Sequence, residues 1–306
     1  MLAASIALAA LALLLAWPVP IVLGHAAWPT RSPAVGLILW QSIALAGGLS
    51  MIGALLTFGL APFGDDLVSS AVGFTHLDGR PELWHLLALC AAVLLTAHLV
   101  FNLVATIVRS ERQRRRHAQL LALLSSPLTP TTRLIDSATP VAYCLPGALS
   151  SVTVFSAGLV ALLSPAELDA VIAHEKAHVT QRHDIVLIAF RAWYASLPWF
   201  PIAYRAQREV GLLVEMLADD RARRVVDDAV LANAIVIAGS GGADAVADDS
   251  AFTAGASASD LRARVTRLAS TPLPLAAEAL VVAGAAALLG VPTALLFAPA
   301  VLAALG

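Results

Sequence analysis

His174-Glu175-Lys176-Ala177-His178 sets two imidazoles four residues apart, with a carboxylate directly after the first. On a helix, positions four apart differ by only about 40° in direction, so both rings can face one ion. Glu175 is then turned toward the side where a water on that ion would sit. Zinc suits imidazole nitrogen, and a catalytic zinc site combines three protein ligands with one open position. Such a metal lowers the pKa of a water to about 7 and polarises a carbonyl. Glu175 becomes the general base, taking the water's proton and passing it to a leaving amine. The motif therefore predicts one Zn2+ per chain, with His174 and His178 among its ligands.

The third ligand must come from elsewhere. His183 is five residues beyond His178, about 140° round a continuing helix, so it is expected to point away. Asp184 fails on the same ground. Glu215 is the better candidate, in Glu215-Met216-Leu217-Ala218-Asp219, where Glu215 and Asp219 share one helix face. Glu215 can take the metal while Asp219 accepts the outer ring N–H of a ligand histidine and fixes its tautomer. The plainer reading makes Glu215 a solvated charge or a partner for Arg221, and the histidine pair decides against it. The charge of Lys176 should point to solvent.

These residues need elements to hold them. Ser164-Pro165-Ala166-Glu167 has the marks of a helix start, with Ser164 as N-cap, Pro165 in the first turn and Glu167 completing a capping box. That helix should run to about Arg182. Upstream, Val141–Leu145 and Val152–Phe155 are β-prone runs separated by Pro146-Gly147-Ala148-Leu149-Ser150, which predicts a hairpin. A substrate strand is expected to add to the edge formed by residues 150–156. Residues 185–204 are apolar but carry Arg191, Pro198 and Pro201. An Arg in mid-span is costly, so a helix packed at the membrane face is expected there. A further helix should cover roughly 205–227, a flexible loop 239–258, and a short amphipathic helix Leu261–Leu268.

The remainder of the chain is of another kind. Of 306 residues, 59% are hydrophobic and only 13% charged, against about 25% charged in an ordinary soluble domain. Residues 1–23, 36–61 and 84–108 contain no Asp, Glu, Lys or Arg, and 273–306 contain only Glu278. Each stretch can cross a hydrocarbon core about 30 Å thick as a helix. The first lacks the basic start of a signal peptide, which favours a span. Arg109, Arg112, Arg114, Arg115 and Arg116 follow the third span, and the positive-inside rule puts them in the cytoplasm. Beside a span, that cluster reads as an anchor, and no direct nucleic-acid binding is expected. Cys90 and Cys144 have no CxxC partner and read as packing residues. His98 and Asn102, four apart within the third span, suit an interhelical hydrogen bond.

The expected architecture is a mainly α, multi-pass protein of the cytoplasmic membrane with four transmembrane helices. Its parts are a three-helix membrane region at 1–108, a cytoplasmic α+β zinc peptidase domain at 109–272, and a last span at 273–306. The lipid bilayer and a protein or peptide substrate are the expected partners.

The order HExxH followed by ExxxD is similar to the gluzincin arrangement of the BlaR/MecR antirepressor metallopeptidases and their HtpX and CAAX-protease relatives. Leu163 through Ala173 looks like that family's approach to the motif, His178-Val179 through Asp184 looks like its continuation, and Trp199-Phe200-Pro201 resembles its aromatic-Pro turn. The Asn usual at that turn is missing. The resemblance covers about 160–225, and the layout of three spans, a domain and one span fits the same type. It implies a zinc metalloendopeptidase in regulated signalling, with a winged-helix transcriptional repressor as partner. No SxxK motif appears, so sensing of an antibiotic by acylation is not supported. The competing expectations are an HtpX-like quality-control protease and a catalytically silent zinc-binding scaffold or sensor.

Overall fold

The computed structural model describes residues 1–76, 79–129, 132–145, 152–198, 201–242 and 258–305. The chain forms two compact units, Met1–Val104 with Phe190–Glu209 and Leu273–Gly306, and Ala105–Ala189 with Val210–Pro272. The predicted turn at 146–150, residues Trp199 and Phe200, and most of the predicted loop 239–258 lie outside the described residues.

The first unit is helical: α1 (Leu2–Ala16), α2 (Pro18–His25), α3 (Trp28–Arg31), α4 (Pro33–Leu60), a 3-10 turn (Ala61–Phe63), α5 (Leu67–His76) and the start of α6 (Leu83–Leu124). Among the described residues, four stretches are long and apolar enough to cross a membrane: Leu2–His25, Pro33–Phe63, Leu83–Leu121 and Leu275–Ala304. This is the number that charge spacing predicts. The first is interrupted at Trp17-Pro18, because a proline has no N–H to continue the hydrogen-bond ladder. Glycine lets α4 and α6 approach. A Cβ on Gly59 would stand 2.6 Å from Leu89 Cγ and 2.9 Å from the His85 carbonyl oxygen. Within α4, Thr57 Oγ1 satisfies itself internally by donating to the Gly53 carbonyl. His98 Nε2 donates to the Ser196 carbonyl at 3.0 Å, the interhelical bond expected of it.

The second unit carries a four-stranded sheet of β1 (Ser125–Thr129), β2 (Thr132–Ile135), β3 (Ala142–Leu145) and β4 (Val152–Ser156), in the order β1-β2-β4-β3. β3 and β4 pair antiparallel, with Ala142 opposite Phe155 and Cys144 opposite Thr153. The predicted hairpin pairing is therefore present. The predicted substrate edge is not where the sequence reading puts it: β4 is an interior strand. Its other side is taken by β2, which pairs parallel to it from Thr132↔Thr153 to Ile135↔Ser156. Among the described residues, the outer strands of the sheet are β1 and β3.

Helices complete this unit: α7 (Ala157–Leu162), α8 (Pro165–Thr180), the start of α9 (His183–Ser196), most of α10 (Pro201–Ala222), α11 (Asp228–Gly242) and α12 (Ala258–Leu268). In the other unit α13 (Leu275–Leu305) follows. α8 starts as predicted. Ser164 Oγ accepts from the Glu167 N–H, and Glu167 Oε2 accepts from the Ser164 N–H at 2.8 Å. Glu167 also accepts from Asn233 of α11, which ties the cap to the next helix. The apolar face of α8, Ala170 and Val171, packs with Phe155 of the sheet and with Leu231, Ala234 and Ile235 of α11. α10 is buried nearly all round, from Val210 through Val214 and Met216 to Ala222. The single apolar segment read at 185–204 is in fact two helices, α9 ending at Ser196 and α10 beginning at Pro201.

Candidate metal centre

The spacing of α8 sorts its residues by depth. Ala170, His174 and Ala177 lie on the buried face, His178 and Glu175 on the flank, and Lys176 in solvent. α10 contributes Glu215 and Asp219, one turn apart. The structure brings His174, His178, Glu215 and Asp219 together. His174 Nε2 and His178 Nε2 stand 3.2 Å apart. Glu215 completes a triangle, with Oε2 3.3 Å from His174 Nε2 and Oε1 3.5 Å from His178 Nε2.

Those separations fit a metal. Donor atoms about 2.0–2.1 Å from one tetrahedral ion are about 3.3 Å from each other. Among the described residues, His174, His178 and Glu215 form the group able to hold an ion. Two nitrogens and one carboxylate are also the donor set that zinc takes in catalytic sites with an open position. Exposure indicates where that opening lies. The Glu215 side chain keeps 38% of its surface and His178 23%, whereas His174 keeps 11% and Asp219 1%.

A charged cluster backs His174. Its Nδ1 is 2.9 Å from Asp219 Oδ1, with the ring N–H turned off the line to that oxygen, so the contact is electrostatic more than a well-aligned hydrogen bond. Arg264 of α12 grips Asp219 with two bonds, Nε to Oδ2 at 2.8 Å and Nη2 to Oδ1 at 2.6 Å. Its Nη1 lies 3.2 Å from Glu215 Oε2. One turn on, Arg267 donates from Nη2 to both Asp220 carboxylate oxygens and from Nη1 to the Met216 carbonyl. A buried carboxylate such as Asp219 is tolerable only with this pairing.

These partners set the protonation of the metal-free cluster. Burial works against a charged His174, but Asp219 and Glu215 outweigh it and push the imidazole up to about 10. Burial pulls His178 down to about 4, opposed only in part by Glu215. Desolvation would raise Glu215, yet His174, Arg264 and His178 hold it well below the usual carboxylate range. Asp219 is held low against burial chiefly by Arg264, whose own value rises.

His183 corrects one expectation. α8 stops at Thr180, and Arg182 takes a left-handed turn at φ 54°. The helix breaks there, and His183 does not point away: its Nδ1 lies 3.1 Å from His178 Nδ1. It remains outside the three-residue group, as does Asp184. Arg264 escapes the sequence reading, which names no cation beside Asp219 and sets aside Arg221 as a partner for Glu215. The available signal was the match of two arginines three apart in 264–267 to the acidic pair Asp219-Asp220.

The sequence profile of peptidase family M48 matches residues 108–270, more than half of the chain and all of this cluster. No curated protein and no solved structure matches the chain.

Proposed function

The chain belongs to peptidase family M48 and is a metallopeptidase, and from that premise we propose an integral membrane zinc metalloendopeptidase built on this cluster. The observation that carries the reading is the triangle of 3.2, 3.3 and 3.5 Å among His174, His178 and Glu215. These three residues would hold the metal. When bound, zinc would supply a Lewis acid and a water of pKa about 7.

The chain's own residues do the rest. Glu175, half-buried beside His174, acts as general base toward the attacking water and returns the proton to the departing amine. Asp219 holds His174 in place and is itself fixed by Arg264. An extended peptide would add to the outer edge of β3, which packs beside α8, and so bring a scissile bond along the HExxH helix.

The peptidase unit faces the cytoplasm in this reading, because Arg109, Arg112 and Arg114–Arg116 follow the third apolar helix. Glu111 pairs with Arg114 and Arg115, which leaves the segment basic. The division into 1–108, 109–272 and 273–306 belongs to the same reading. The layout resembling BlaR/MecR proteins supports regulated cleavage of one protein, a winged-helix repressor being the substrate that the resemblance implies. An HtpX-like protease would instead cut many misfolded membrane proteins.

Cleavage by the detergent-purified full chain and by Glu175→Ala tests the proposal, with the chain itself, a co-expressed repressor and an unfolded protein as substrates. Zinc in both samples with cleavage only by the wild type is expected. Equal cleavage by Glu175→Ala would overturn the proposal, and cutting of the unfolded protein alone would move it to quality control.

A further inference from the structure

His178 is a proposed ligand whose outer nitrogen, among the described residues, faces another histidine rather than a carboxylate. Its outer nitrogen, Nδ1, faces His183 Nδ1 at 3.1 Å, and His183 Nε2 faces Gln181 Oε1 at 2.8 Å. His183 is 3% exposed, its ring edge-on to His178 with centroids 4.9 Å apart. Gln181 is at the surface.

The hydrogens in this chain have one consistent order. The Gln181 amide oxygen only accepts, so His183 Nε2 must carry a hydrogen. A neutral imidazole has a single N–H, so His183 Nδ1 is bare and accepts from His178 Nδ1–H. His178 Nε2 is then left with a free lone pair, and Nε2 is the atom that faces His174 Nε2 and Glu215. Reversing the order would put a hydrogen on His178 Nε2, where a metal needs the lone pair.

The backbone is bent to make this possible. Were α8 to continue, position 183 would turn away, and it is the left-handed Arg182 that returns the ring to His178. A non-glycine residue at positive φ is disfavoured because its Cβ crowds the neighbouring backbone.

We propose that His183 is a positioning residue for the metal site, locking His178 in the tautomer that presents Nε2, with Gln181 setting the direction of the relay. This rests on the reading of His174, His178 and Glu215 as metal ligands. It makes the two histidines unlike: Asp219 and Arg264 hold one by charge, and His183 holds the other by a neutral chain.

The test is zinc affinity of the full chain in detergent, measured by competition with graded chelators. His183→Phe fills the space without an acceptor and is expected to weaken zinc about 10–100-fold, the range for loss of such partners. His183→Asn offers an amide oxygen near the Nδ1 position and should recover most of that loss, which a purely space-filling role would not allow. Gln181→Leu, at an exposed position, should weaken zinc by a smaller factor without harming the fold, so it holds the test if His183→Phe fails to fold. Unchanged affinity in Gln181→Leu and in a folded His183→Phe, or no recovery with Asn, would overturn the proposal. Absence of zinc from the wild type would instead sink the metal reading along with it.

Discussion

His174 and His178 are one helical turn apart on α8, yet their surroundings have little in common. Behind His174 stand Asp219 and Arg264, an ion pair in which the aspartate is 1% exposed. Behind His178 stand a buried imidazole and a surface amide with no formal charge. The first arrangement draws its strength from Coulomb attraction in a poorly solvated place, and it favours a protonated ring until a metal displaces the proton. The second contributes little stability but fixes a tautomer. One site thus uses two ways of aiming an imidazole, with different consequences when each is broken.

The largest effect should come from the charged side. Asp219→Leu leaves the Arg264 guanidinium buried without its two-pronged partner, and loss of one member of such a pair costs about 3–5 kcal/mol. Thermal unfolding in detergent should show a large fall in Tm, whereas Gln181→Leu on the neutral side should leave Tm almost unchanged. Equal effects from the two would erase the distinction.

The pH response of the chelated protein sharpens the same contrast. His174 is raised to about 10, so its contribution is complete below 6.5 and is lost as pH climbs toward 10. His178 is depressed to about 4, and Asp219 and Glu215 are held low, so their contributions are present at neutral pH and are lost as pH falls. The metal-free protein should therefore be most stable near neutral pH and decline on both sides. A Tm that keeps rising from pH 7 to 10 would contradict the His174 assignment.

The smallest effect belongs to the turn that returns His183. Arg182→Gly places at φ 54° the residue that tolerates it and should leave stability unchanged or raise it by up to about 1 kcal/mol. A clear loss of stability would mean that the arginine side chain, not the turn, matters there.

The readable parts of this molecule were those with local chemistry. The α8 start was legible because Ser164 and Glu167 satisfy each other's backbone groups three residues apart. HExxH and ExxxD were legible because two turns of helix determine which side chains share a face. Four apolar helices followed from the spacing of charges. What stayed hidden depends on distant partners or on an unmarked bend. β2 reads Thr132-Arg133-Leu134-Ile135, without clear alternation, and its parallel pairing with β4 joins residues 21 apart in register, so β4 passed for an edge. α8 ends without Gly or Pro at its last turn, so a continuing helix wrongly carried His183 away. Arg264 reaches Asp219 across 45 residues of sequence that no period connects.

The most direct test of the central claim is zinc K-edge absorption on the 306-residue chain in detergent. The account predicts one zinc per chain, bound by nitrogen and oxygen at about 2.0–2.1 Å with no sulfur at about 2.3 Å, and loss of that zinc in His174→Ala. A chain that takes up no zinc, or one whose zinc is unchanged without His174, would contradict it.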